Sequence, residues 1–246
     1  MENKEKSSKD DEGRNVPRIL ICDFTGVYDA EELRDAGDVL DLTDLTGTEM
    51  YVDDEAECEI KRRINALEVS CGRNIGSYGL RFLDNGNYHY MSRILASYVN
   101  EPFDLITFDH HTDDQPPAFE GLRSCGSWRL NIARENRFLR QSVLIQSYGD
   151  YEAKYTPSGL PVYISIDKDI LSNDVVKTNW DQGEMKEEEL YDLLKKIGST
   201  ARIIAMDICG EDLPENPAKM NRDFNLRFIG SQGVSGDGSN GVKLRL

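Results

Sequence analysis

Residues Phe103–Asp113 read FDLITFDHHTD, six residues of strand-forming character that run directly into a cluster of acids and imidazoles. A short apolar run bounded by polar residues is the pattern of a strand buried on both faces. The pattern recurs along the chain. RILICDF (Arg18–Phe24), GLRFL (Gly79–Leu83), SVLIQS (Ser142–Ser147), PVYISI (Pro161–Ile166) and ARIIAMDI (Ala201–Ile208) are further strand candidates. Helical periods lie between them. Ala56, Ile60, Ile64 and Leu67 share one face after an Asp-rich start, YHYMSRILASYV follows the turn DNGN, and MKEEELYDLLKKI (Met185–Ile197) is amphipathic. Strands interleaved with helices predict an α/β fold with a mainly parallel sheet flanked by helices.

The chain has 246 residues, enough for one large domain with a well-buried core. Residues 1–16 are charged and nearly free of large apolar side chains, so they are expected to be a disordered leader ahead of a single domain over 17–246. The stretch GSQGVSGDGSNG near the end reads as a loop or flexible tail. A net charge of −16 argues against nucleic acid as a partner, because phosphates demand a basic surface. Five dispersed cysteines without C-x-x-C spacing read as reduced thiols, and no apolar run approaches the ~20 residues that span a bilayer. A cytoplasmic protein without a membrane segment is the expectation.

In an open parallel sheet, functional groups collect where strands end at their carboxyl edge. FDLITF runs into Asp109, His111 and Asp113, PVYISI into Asp167 and Asp169, ARIIAM into Asp207 with Glu211 soon after, and the turn after Gly79–Leu83 delivers His89. Acidic loops after strands are usually just solvated, so each cluster alone is a weak signal. Their conjunction is stronger, because the three histidines of the chain are His89, His110 and His111. Alternate residues of an extended segment point the same way, which would bring Asp109, His111 and Asp113 together, and likewise Asp167 and Asp169. Such carboxylates would repel one another unless divalent metal joined them. The set, rich in oxygen and free of thiolate, suits manganese or a similar ion better than structural zinc. Six ligands exceed one tetrahedral ion and fit two ions ~3.5 Å apart that share a hydroxide.

The D-x-H-x-D at Asp109/His111/Asp113, the S-x-D-x-D at Ser165/Asp167/Asp169 and the upstream His89 resemble the metal motifs of the arginase/agmatinase/formiminoglutamase (ureohydrolase) superfamily. The resemblance covers roughly Phe82 to Pro214. It implies a three-layer α/β/α fold of the arginase/deacetylase kind and two Mn²⁺ per chain. Asp109 and Asp167 would bridge the ions, His89 and Asp113 would complete one sphere, and His111 and Asp169 the other. It further implies hydrolysis of a linear C–N bond in a guanidino substrate, a small molecule or a peptide, to urea and an amine. Asp113 would move the proton, and Glu211, in the stretch MDICGEDLP, would bind the cation. Trimers and hexamers are frequent in the family, so a homo-oligomer belongs among the expectations.

Several positions depart from the family pattern. The upstream motif is N-G-N-Y-H rather than G-G-D-H, and Glu211 lies one residue further from Asp207 than usual. His110, inside the D-x-H-x-D motif, is expected to point away from the metals, as a core histidine or one behind the ligands. In SCGSW (Ser124–Trp128), Cys125 stands where arginases carry a further histidine, and it reads as a buried bystander. Three other readings remain: a one-zinc deacetylase-like amidohydrolase on the same fold, a metal-binding member without activity, and a phosphoesterase.

Overall fold

A buried parallel strand needs hydrogen-bond partners on both sides, and the apolar runs find them in one sheet. The computed structural model describes residues 18–28, 33–117, 119, 121–213, 215 and 218–231. The leader expected at 1–16 lies outside these, as does the expected tail GSQGVSGDGSNG except for its first two residues, Gly230 and Ser231, which are helical rather than loop. The strands are β1 (Ile19–Asp23), β2 (Asp38–Asp41), β3 (Tyr51–Val52), β4 (Leu80–Phe82), β5 (Phe103–Phe108), β6 (Arg123–Ser124), β7 (Leu139–Ile145), β8 (Val162–Asp167) and β9 (Ile203–Cys209). The helices are α1 (Leu33–Ala36), α2 (Asp54–Cys71), α3 (Met91–Ala96), α4 (Trp128–Glu135), α5 (Asp150–Lys154), α6 (Glu187–Thr200) and α7 (Lys219–Ser231). Seven strands form a wholly parallel sheet in the order β2-β1-β4-β9-β8-β5-β7. β3 and β6 pair antiparallel as a separate ribbon.

Side chains alternate across the sheet and build two cores. Ile19 and Ile21 of β1 join a core covered by α1, α5, α6 and α7, whereas Leu20 and Cys22 join one covered by α2, α3 and α4. The result is three layers, α/β/α. Local chemistry sets the helix ends. The Asp53 side chain accepts from Ala56 N at 2.8 Å to start α2, and Gly72 at φ 62° closes it. No helix among the described residues is long and apolar enough to cross a membrane.

Three of the elements that the sequence reading passed over, β2, α4 and α7, have short or polar inward faces. α4 buries Trp128 and Ile132 but also Arg129 and Asn131, and α7 buries Asn221 and Asn225 beside Phe224 and Phe228. Their hydrophobic period is therefore diluted.

The four central strands β4, β9, β8 and β5 end side by side, so the loops that follow them converge. Asp84, at φ 71°, follows β4 and ties its end to those of β1 and β9. Its carboxylate accepts from Phe24 N and Thr25 N at 2.9 Å each, and its carbonyl accepts from Gly210 N and Glu211 N at 3.0 and 3.1 Å. On the opposite side of stability sits α6, whose Leu193 is fully buried. Leu193→Ala is expected to destabilise the fold by about 2–5 kcal/mol, read as a lower midpoint in urea denaturation. A loss near zero would mean that α6 does not pack on the sheet.

Candidate metal centre

Each sequence-predicted ligand reaches the site by its own local device. β5 ends at Phe108, and Asp109 Oδ1 then accepts the amide of His111 at 2.6 Å. Asp113 adopts φ 49°, a left-handed conformation that Asp tolerates better than most residues. It is held there by Trp128 Nε1, which donates to Oδ2 at 2.7 Å, and by Arg129 N, which donates to its carbonyl at 3.0 Å. Asp167 closes β8, and its Oδ1 accepts Asp169 N at 3.0 Å across a 3₁₀ turn, Lys168–Ile170. His89 follows a 3₁₀ turn at Gly86–Tyr88 that Asn85 caps through Asn87 N at 3.0 Å. The expected convergence thus occurs, but through turns and a left-handed residue rather than by alternation along extended chain. Gly210, at φ 91°, lets the end of β9 pass, because a Cβ there would lie 2.3 Å from Asp167 Oδ1.

The six side chains meet. His89 Nδ1 lies 3.2 Å from Asp113 Oδ2, 3.2 Å from Asp167 Oδ2 and 3.4 Å from Asp109 Oδ2. His111 Nδ1 lies 2.7 Å from Asp169 Oδ2 and 3.9 Å from Asp109 Oδ1. Two groups could each hold an ion, with ligand atoms within 4.8 Å of one another: His89/Asp109/Asp113 and Asp109/His111/Asp169. Asp109 belongs to both. His89, Asp167 and Cys209 form a third such group, but Cys209 Sγ donates to Asn85 O and burial keeps its thiol protonated far above the ordinary range.

The electrostatics fit a bound cation. His89 Nδ1 and Asp109 Oδ2 are buried without any hydrogen-bond partner, a costly state that a divalent ion between them would relieve. Burial, then Asp113, Asp169 and Asp167, push the Asp109 carboxyl well above its usual range. Burial and Asp167 raise Asp169 to about 6. Burial opposes charge on His89, yet the Asp113 and Asp167 carboxylates close to Nδ1 outweigh it and raise the imidazole to about 10. The bond to Asp169 raises His111 to about 9 against the opposing effect of burial. Without a metal the imidazoles must hold protons to balance the carboxylates, and a cation would displace those protons.

Asp109, His111, Asp113, Asp167 and Asp169 floor a crevice of ≈ 180 Å³ whose walls include Cys125 and Trp180. Burial lifts the Cys125 thiol to about 12, with Asp113 adding to the shift, so it stays neutral. His110 does turn away from the cluster, but its side chain is 38% exposed, 3.7 Å from Asp181, and so is not a core histidine. Glu211 is not among the residues lining the crevice. It is buried and paired with Lys168. Sequence reading missed Trp128, Trp180 and Asp181, which no motif marks. Trp128 nonetheless ends the quoted stretch SCGSW, Trp180 stands in TNWDQGEM (Thr178–Met185), and an isolated Trp near a metal motif is the signal available.

The crowding of Asp109 gives a test with two readouts. Asp109→Asn keeps a side-chain acceptor for His111 N but removes a buried charge. The metal-free variant is expected to melt about 2–4 °C above the native protein, the effect of about 1 kcal/mol in a domain of this size. Added manganese is expected to stabilise the native protein and not the variant. A lower melting point together with an intact manganese response would contradict the crowding described here.

No family model matches the chain. A protein of Thermotoga maritima described as uncharacterized is 27% identical over 226 residues, covering 86% of this chain and 87% of its own. Solved structures are similar across most of the chain. Proclavaminate amidino hydrolase from Streptomyces clavuligerus has a TM-score of 0.58 at 13% identity, covering 89% of this chain and 92% of its own. Trypanosoma cruzi formiminoglutamase with Mn²⁺ has 0.55 at 11%, covering 87% and 91%. Arginase from Bacillus caldovelox has 0.51 at 12%, covering 84% and 94%. With its seven parallel strands between two helical layers, the chain has the arginase-like α/β fold of these structures.

Proposed function

We propose that this chain is a hydrolase of a linear C–N bond that uses two manganese ions to cleave a guanidino group, free or peptide-borne, into urea and an amine. One observation carries the reading: two ligand groups share the buried Asp109 on the floor of a crevice, with Asp167 against His89 beside them. The amidino and formimino compounds in the names of similarly folded structures support the bond type. In this reading Asp109 and Asp167 would be shared between the ions, with His89 and Asp113 holding one and His111 and Asp169 the other. Ions held there would supply a water of pKa lowered toward ~7 and would stabilise charge at the attacked carbon.

The chain's own residues supply the rest. His89 Nε2 lies 2.9 Å from Ser165 Oγ, itself 3.2 Å from Ser92 Oγ. An Nε2–H donated to Ser165 leaves the Nδ1 lone pair facing the carboxylates, the tautomer a metal ligand needs. Asp113 lines the crevice, is steadied by Trp128, and passes a proton from the nucleophile to the leaving amine. Five unpaired cysteines support a reducing, cytoplasmic setting.

Manganese-loaded protein is expected to bind two ions per chain and to release urea from a guanidino compound, tested over a panel of free and peptide-linked substrates. Asp113→Asn should slow urea release by about 10²–10⁴-fold, and Asp167→Asn should lose both metal and activity. Two bound ions with no urea from any substrate would overturn the reading. One zinc per chain would point to a deacetylase-like amidohydrolase instead.

A further inference from the structure

A carboxylate that binds a substrate cation has to face the substrate and have charge to spare. Glu211 has neither. Its side chain is 2% exposed and forms an ion pair with Lys168 Nζ, whose side chain is fully buried. Asn225 Nδ2 donates to the same oxygen at 2.8 Å, and Asn221 Nδ2 to the other at 3.1 Å. Spending Glu211 on a second cation would strand the Lys168 ammonium in the interior, a large penalty. Lys168 cannot readily leave, because it sits inside the turn that joins Asp167 to Asp169.

The crevice offers another partner. Among the described residues, Trp180 is the one large aromatic side chain that lines it, and it is 37% exposed. Its indole is fixed by the pyrrole edge. Nε1 donates to Asn87 Oδ1 at 3.0 Å, and a Cβ on Gly86 would lie only 2.6 Å from Trp180 Cδ1. Asn87 is held in turn by Asn179, which donates to it at 2.9 Å, and by Glu49, which accepts from it at 2.5 Å. The indole lies 5.7 Å from the His111 ring, next to the metal ligands, and Asp181 beside it adds negative charge at the rim. An aromatic ring held in place by its neighbours meets a cation at little entropic cost.

We propose that Trp180 recognises the cationic group of the substrate, a guanidinium or amidinium, through a cation–π contact at the mouth of the crevice, in the role that Glu211 is too well paired to fill. The inference rests on the hydrolase reading above and names the residue that selects its substrate. A planar, weakly hydrated cation stacks on an indole better than a compact ammonium does. The site should therefore prefer guanidinium and amidinium compounds to alkylammonium and to neutral ureas of the same shape.

The test is equilibrium binding, by calorimetry, of n-butylguanidinium and its neutral counterpart n-butylurea to manganese-loaded native protein, Trp180→Phe and Trp180→Ala. Metal content should be unchanged in all three. Trp180→Ala should weaken n-butylguanidinium binding by about 3–30-fold, Trp180→Phe by less, and n-butylurea should be scarcely affected. Equal n-butylguanidinium affinity in native protein and Trp180→Ala would overturn the proposal. So would equal losses for both ligands, which would make Trp180 a plain wall. Native protein that holds its metal but binds neither ligand would overturn the hydrolase reading itself, and the assignment of Trp180 with it.

Discussion

Asp109, Asp113, Asp167 and Asp169 crowd around His89 and His111 at distances that carboxylates avoid unless positive charge lies between them. Most of the local architecture serves to keep them there. The parallel sheet brings the ends of β4, β9, β8 and β5 side by side, and Asp84 laces the end of β4 to those of β1 and β9 with hydrogen bonds to its carboxylate and carbonyl. Gly210 gives the space in which β9 passes Asp167. Two cores, one on each face of the sheet, hold the frame rigid against the repulsion at its edge. The metal-free cluster is thus a strained arrangement that the rest of the fold supports, and protons on the two imidazoles relieve part of it.

The same arrangement explains why a lysine lies between two of the acids. Within the 3₁₀ turn Lys168–Ile170, Asp167 and Asp169 face the cluster while Lys168 is carried into the interior. There its charge needs a partner, and Glu211 with Asn221 and Asn225 of α7 forms that partner shell. This buried pair couples the last described helix to the loop that carries the acids. It also keeps Glu211 out of the crevice, whose wall carries the fixed indole of Trp180.

Much of this was legible in the chain. The apolar runs of β1, β5, β8 and β9 mark central strands because both of their faces are covered, and the Asp53-led start of α2 marks a helix by local capping chemistry. The six acids and imidazoles could be singled out by their positions just after strands and by the scarcity of histidine. α4 and α7 were not legible, since their buried faces carry Arg129, Asn131, Asn221 and Asn225, polar groups whose burial depends on partners far away in sequence.

By itself the sequence determined the layered α/β plan and the identity of the clustered side chains, because periodicity and strand-end position are local properties of a chain. Only the tertiary structure decided what those side chains face. Asp113 joins His89 through a left-handed backbone held by Trp128, fifteen residues further along the chain. Glu211 turns to Lys168, forty-three residues away, and Trp180 is pinned by Asn87, ninety-three residues away. A charge or an indole goes to whichever partner lowers its free energy once the chain is packed, and that choice is made across distances that no local pattern records.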